Sequence, residues 1–400
     1  MTTAHELRQA LADALVAGGA VRSAAVEAAF RTVPREAFVP AGTDLATAYA
    51  DQVVVTRRDP GGRATSSVSA PWLQALMIEQ AALLPGARVL EVGSGGYHAA
   101  LLAEVVGPHG RITSIDIDPY VVGHARAALA RAGYPQVRVV ETDGEYGHPA
   151  AAPYDAVIVT VEAGDVPPAW TDQLAPGGVL VAPLRIRGNT RSVALIRDGD
   201  HLVAASALPC GFVPMQGAGA RAVRRLPLRG DAVVLAVDDN ATDVDPAVLG
   251  AALDGPLWEA WSAVTTSATE PFDSLHLWLA SQPRPYGLLA VDPSRVGGRL
   301  RPQNSTACPT LVSADSLAHL ALRQIDADAW QFGAQGFGPH AERLVVDLLH
   351  LLDAWDRRHR HGPGPRITVH RAGTALAPTE SPRLLLPRRH TTVAVTWPVP

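Results

Sequence analysis

The sequence predicts an α/β protein built on a parallel sheet with helices on both faces, and three observations carry that prediction. Between residues 86 and 210, strand-like and helix-like runs alternate, as a sheet made of βαβ units requires. The stretch Arg88-Val-Leu-Glu-Val-Gly-Ser-Gly-Gly-Tyr-His98 reads as a strand, a glycine turn and a helix start. Acids close the next two strand-like runs, at Asp116 and Asp143. Together these describe a Rossmann-like core with a ligand cradle at its strand tips.

Gly93, Gly95 and Gly96 can take positive φ and let a ligand approach the backbone with no Cβ between them. The helical run that follows offers free N–H groups beside the turn. Such turns are common in α/β folds, so the spacing to the next acid carries more weight. The run 111–115 ends in Asp116, where a carboxylate can accept both hydroxyls of an adenosine ribose. A solvated strand-end acid is the plain alternative. The run 137–141 leads to Asp143-Gly144, within reach of an adenine amino group. The turn lacks the Gly-x-Gly-x-x-Gly spacing suited to a pyrophosphate, which favours S-adenosylmethionine over NAD or FAD.

Ahead of this core, Leu7, Leu11, Leu15 and Val16 fall at helical spacing, and Val26 and Phe30 repeat the habit. They predict a helical cap over 4–19 and 24–32. A short strand follows at 52–56, then a charged, glycine-rich turn at 57–62. Next come Thr65-Ser-Ser-Val-Ser-Ala-Pro71 and a helix from Trp72. Pro71 suits the first turn of that helix, so Ser69 is either an N-cap serine or the group that holds an acceptor. Strands are expected near 87–92, 111–115, 137–141, 155–161 and 178–183, with helices near 97–106, 119–132 and 167–174. Runs 192–196 and 202–206 read as a closing hairpin. Asp155 reads as an acid that orients backbone groups.

A length of 400 residues exceeds one ordinary domain. Apolar residues make up 47% and charged residues 18%, enough to bury a large core. The net charge of −5 gives no electrostatic case for nucleic acid or an anionic membrane. Every basic side chain other than histidine is arginine. Cys210 and Cys308 cannot build a disulfide framework or a zinc site alone, so a reducing compartment is expected. With no signal pattern in residues 1–20 and no apolar run of spanning length, a cytoplasmic location is expected.

Several motifs resemble the protein-L-isoaspartate O-methyltransferase family. They are Val33-Pro-Arg-Glu-Ala-Phe-Val39, Tyr49-Ala-Asp51, Val68-Ser-Ala-Pro71, Pro85-Gly-Ala-Arg-Val-Leu-Glu-Val-Gly-Ser-Gly95, Ala152-Pro-Tyr-Asp-Ala156 and Leu174-Ala-Pro-Gly-Gly178. The resemblance covers roughly residues 5–215. It implies a class I S-adenosylmethionine-dependent methyltransferase with an N-terminal helical cap. It also places Gly93, Ser94 and Gly95 against the cofactor's amino-acid end, Asp116 at the ribose, and Asp143 and Gly144 at the adenine, with Glu91, Tyr97 and Ile117 also among the cofactor-binding residues. Ser69 would orient the acceptor carboxylate, with Val68, Ala70 and His98 on the substrate side. His98 can equally be a local hydrogen-bonding group at the helix start. No metal is expected, because a carboxylate is already an anionic nucleophile.

Two departures stand out. The turn Gly93-Ser-Gly-Gly-Tyr97 is one residue shorter than the Gly-Ser-Gly-Ser-Gly-Tyr of repair enzymes, and Trp72-Leu73 stands where they usually place His-Met. About 180 further residues follow, which looks like the relatives found with ribosomal peptide natural products, including lanthipeptide-associated and "FxLD system" methyltransferases. That likeness implies an aspartate of a precursor peptide as substrate, its ester closing to succinimide and then isoaspartate. Repair of damaged proteins is the alternative.

The expected organisation is cap and acceptor loop at 1–85, core at 86–216, linker at 217–230 and a mixed α/β accessory domain at 231–400. In the last, strands are expected at 232–237 and 287–291, with helices at 246–253 and 340–360. Two alternating strands are expected at 366–370 and 391–397, while 317–322 fits strand or helix. The Arg357-Arg-His-Arg-His361 end is expected to be solvated beside the helix C-terminus. Peptide positioning and homodimer formation are the roles open to this half.

Overall fold

The computed structural model describes residues 2–238, 243–378, 381 and 383–398. The chain opens with α1 (Ala4–Ala17), α2 (Ala24–Thr32) and α3 (Leu45–Tyr49), then β1 (Val54–Arg58) and β2 (Ala64–Val68), which form a hairpin. Helix α4 (Pro71–Ala81) leads into β3 (Arg88–Val92), α5 (Tyr97–Val106), β4 (Arg111–Asp116), α6 (Pro119–Ala132) and β5 (Arg138–Glu141). Strand β6 (Tyr154–Val159), α7 (Pro168–Asp172), β7 (Leu174–Ile186), β8 (Asn189–Asp198) and β9 (His201–Pro209) complete the first half. The second half contributes β10 (Arg224–Arg229), β11 (Val233–Val237), α8 (Pro246–Ala252), β12 (Leu257–Thr266), α9 (Asp273–Ala280) and β13 (Tyr286–Val291). It continues with β14 (Cys308–Val312), β15 (Leu317–Asp326), β16 (Ala329–Phe337) and α10 (Ala341–Arg358). The last strands are β17 (Arg366–Arg371), β18 (Arg383–Pro387) and β19 (Thr391–Thr396).

The expected Rossmann-like core is present. Strands β7-β6-β3-β4-β5 are parallel neighbours, and the chain turns back at β3, so the gap between β3 and β6 is the topological switch point. Ligands of open α/β sheets bind at that point, at the carboxyl ends of the strands. Val89, Leu90 and Val92 on β3, with Ala156 to Val159 on β6, are buried because helices cover both faces. One face packs on α1, α2, α4 and α5 through Leu11, Phe30, Met77 and Leu101. The cap is therefore part of the core.

The expected division at 217–230 is not how the chain is organised. Residues 224–229 form β10, an edge of a seven-stranded antiparallel sheet, β10-β11-β13-β14-β15-β16-β12. Strands β17, β19 and β18 leave that half and extend the first sheet to ten strands, with β17 pairing antiparallel to β9. One apolar core runs from Leu90, Val157 and Leu180 through Leu235 and Leu289 to Ile367 and Trp397. Apolar burial favours this arrangement, since β9 would otherwise leave an open edge. The Arg187 guanidinium adds a polar clamp, donating to the carbonyls of Ala280, Gln282 and Arg284 at 3.0, 2.9 and 2.7 Å.

The tail of α10 also differs from expectation. Arg357, Arg358 and His361 stay outside, with Arg357 paired to Asp353, but the residues between them do not. His359 is buried between the rings of Trp278 and Trp397, at centroid distances of 4.5 and 4.8 Å. Arg360 pairs with Glu270 and Asp356 at 2.6 and 2.7 Å. Part of the basic run is thus used in packing within the second half. Among the described residues, no helix is long and apolar enough to cross a membrane.

Candidate active site

The cleft is built from four strand tips. After β3 the chain turns through Gly93, whose φ of +97° suits only glycine; a Cβ there would stand 2.7 Å from the Thr160 hydroxyl oxygen beyond β6. That hydroxyl donates to the Gly93 carbonyl at 2.7 Å, so the tips of β3 and β6 hold each other. Asp116 ends β4, and its carboxylate accepts the N–H groups of Ser94 and Asp118, each at 2.9 Å. Burial pushes the Asp116 carboxyl above the ordinary aspartate range, and those backbone hydrogen bonds oppose the shift. Beyond β5, Gly144 comes so close to Val92 that a Cβ would stand 2.6 Å from its methyl. The Trp170 indole fixes this turn by donating to the Gly144 carbonyl at 2.8 Å.

Asp116, Ile117, Gly93 and Gly144 thus line one cleft. Asp143 stands at the same end, but both its oxygens are engaged by backbone, accepting Glu145 N–H at 2.9 Å and Ala218 N–H at 2.7 Å. The second bond belongs to a roof the sequence did not reveal. Pro214, Met215 and Gln216 close over the cleft, tied to the β6 tip by Met215 N–H on the Glu162 carbonyl at 3.1 Å. Thr65 of β2 supplies a side wall. The only sequence signal for the roof was the glycine and proline punctuation of 211–219.

Three expected site residues lie elsewhere. Tyr97 does not line the cleft: its ring is buried against Phe30 and Phe38, beneath the Arg35 guanidinium at 5.0 Å. Glu91, fully buried, accepts from the Ser114 hydroxyl and meets His98 Nδ1 at 2.8 Å. His98 is itself buried, with its Nε2 making no hydrogen bond among the described residues. A carboxylate in a strand interior needs such partners. Replacing His98 by alanine is expected to lower stability by about 2 kcal/mol while leaving the KM for the methyl acceptor unchanged. Chemical denaturation beside steady-state kinetics checks this.

The acceptor loop does adjoin the glycine turn, since a Cβ on Gly95 would lie 3.5 Å from the Ser67 carbonyl oxygen. Val68, Ser69 and Ala70 are all buried in this loop. Ser69 does not cap α4. The N-cap is Ala70, and the Trp72 N–H instead bonds to the Asp51 carboxylate at 2.9 Å. That leaves the Ser69 hydroxyl for another partner.

The residues present fit an adenosyl sulfonium. Buried hydroxyls of Ser94 and Thr65, one on the turn and the other on the cleft wall, have no hydrogen-bond partner in the protein. Among the described lining residues Asp116 carries the sole formal charge and no arginine or histidine appears, which disfavours a phosphate and suits a cationic, ribose-bearing ligand. No group of three or more potential metal ligands occurs among the described residues.

Comparison with known proteins agrees with this geometry. The chain is 42% identical over 224 residues to the protein-L-isoaspartate O-methyltransferase of Hyperthermus butylicus, covering 53% of this chain and 90% of that one. It is 43% identical over 223 residues to that of Methylorubrum populi, covering 55% and 99%. A solved structure titled protein-L-isoaspartate O-methyltransferase superposes with a TM-score of 0.51 at 22% identity, over 90% of this chain and 96% of its own. That likeness in fold takes in the second half of the chain as well as the first. The model of the protein-L-isoaspartate(D-aspartate) O-methyltransferase family matches residues 6–220, more than half of the chain, and the chain belongs to that family of S-adenosylmethionine-dependent enzymes.

Proposed function

We propose that the protein methylates the free carboxylate of an L-isoaspartyl residue in a protein or peptide. The observation that carries the proposal is the placement of the Ser69 loop against the glycine turn, with the Ser69 hydroxyl released from helix capping by Asp51.

A carboxylate with a pKa of about 4 is anionic at neutral pH, so the chain need not remove a proton. Its work is alignment and exclusion of water. The Ser69 hydroxyl would donate to one carboxylate oxygen and leave the other facing the turn. Asp116 would accept the ribose hydroxyls, and Gly93, Ser94 and Gly95 would border the amino-acid end. Bound S-adenosylmethionine supplies an electrophilic methyl group on a sulfonium that leaves as a neutral thioether.

The Ser69→Ala enzyme is expected to lose about tenfold in kcat with unchanged affinity for S-adenosylhomocysteine. Loss of cofactor affinity instead would place Ser69 in the wrong part of the site. Matched peptides that differ only in Asp or isoAsp test the substrate. Methyl transfer to the isoAsp peptide alone is the expected result.

Preference for an ordinary aspartate would restore the precursor-peptide reading, whose remaining support is the shortened turn Gly93 to Tyr97 and the Trp72-Leu73 pair. Its other support, the added half, shares its fold with a solved structure titled protein-L-isoaspartate O-methyltransferase.

A further inference from the structure

Beside the cofactor cleft lies a cavity of about 390 Å³ where the turn after β5, the roof segment and the β18–β19 turn meet. Its partition contains a close contact between side chains far apart in the chain. Glu145, almost completely buried, has its Oε1 2.7 Å from His390 Nε2, across 245 positions of sequence.

We infer that His390 is a positioning residue for the cofactor, acting through Glu145. This rests on the assignment of the neighbouring cleft to S-adenosylmethionine. Glu145 sits between the two elements that bound the adenine end. Its own N–H holds Asp143 at 2.9 Å, next to Gly144. Its second oxygen lies against the roof, since a Cβ on Gly219 would stand 2.8 Å from Glu145 Oε2. The Asp143 carboxylate also binds the roof through Ala218 N–H at 2.7 Å. His390 therefore fixes a second carboxylate, beside that of Asp143, that touches both the β5 turn and the roof. Arg389, 3.8 Å from the same carboxylate, is largely exposed and adds little.

The β18–β19 turn does not depend on the His390 ring. His390 N–H donates to Asp165 at 2.7 Å and the Thr391 hydroxyl to the same carboxylate at 2.5 Å. Without the ring, the turn keeps its anchor while Glu145 loses its nearest side-chain partner. A buried carboxylate in that state rotates toward water, and the turn carrying Asp143 and Gly144 loosens. The second half of the chain is thereby coupled to the cofactor site in the first.

Calorimetric titration of the full chain with S-adenosylhomocysteine, beside kinetics on an isoAsp peptide at saturating cofactor, tests the inference. His390→Ala is expected to raise the dissociation constant about tenfold and leave the peptide KM unchanged. His390→Gln, whose amide can still donate to Glu145, is expected to recover most of the affinity. Adding Glu145→Gln to His390→Ala is expected to cost little more than either change alone. Wild-type affinity in His390→Ala, failure of glutamine to rescue, or fully additive losses would each overturn the inference. Wild-type protein that takes up no S-adenosylhomocysteine would remove the site assignment beneath it.

Discussion

Replacing Asp116 by asparagine is expected to weaken S-adenosylhomocysteine binding about 30-fold, some 2 kcal/mol, with a much smaller change in folding stability. The carboxylate is kept partly buried against the preference of the charge, and among the described residues it has no salt-bridge partner to repay that cost. Its bonds to Ser94 and Asp118 N–H groups shape the turn but leave lone pairs facing the cleft. Asparagine keeps one acceptor oxygen and sets an NH2 group where an N–H now donates. Both the bend and the ribose acceptor suffer. Isothermal titration gives the affinity and thermal denaturation the stability. Unchanged affinity would mean that the cofactor lies elsewhere.

Replacing Arg35 by alanine is expected to cost about 4 kcal/mol of folding stability, the largest loss of any single change considered. Its guanidinium is fully buried and donates to the Ala48 carbonyl at 2.8 Å, the Gln52 carbonyl at 3.0 Å and the Gln74 amide oxygen at 3.2 Å. It also covers the Tyr97 ring. Truncation strands two buried acceptors and one part-buried one, and opens a cavity beside Phe30 and Phe38. Because Gln52 precedes the β1–β2 hairpin and Gln74 lies on α4, the Ser69 loop is expected to loosen as well. Urea unfolding gives the energy. A residual kcat near wild type at low temperature would show that the loop does not depend on this anchor.

These two residues mark how legible the protein is from its sequence. Asp116 could be found because its place follows from local order, a strand ending in an acid about twenty residues after a glycine turn. Arg35 was legible only as part of a motif, Val33 to Val39, whose physical task lies in contacts with residues as distant in the chain as Gln74 and Tyr97. Tyr97 and His98 show the converse. They sit next to the glycine turn in sequence, yet successive helix positions face different ways. Tyr97 turns toward the cap and His98 toward Glu91, and neither reaches the cleft.

Sequence alone determined the parallel core, the cradle at its strand tips and the acceptor loop, because each is written in short-range order. Hydrophobic runs, glycine turns and strand-end acids act within a few residues of one another. Tertiary structure alone decided that β17 to β19 join the first sheet, that 214–219 roofs the cleft and that Asp51 rather than Ser69 caps α4. It also brought His390 to Glu145. Such pairings are selected by burial and edge completion across the folded chain, and neither leaves a periodic trace in the residues that make them.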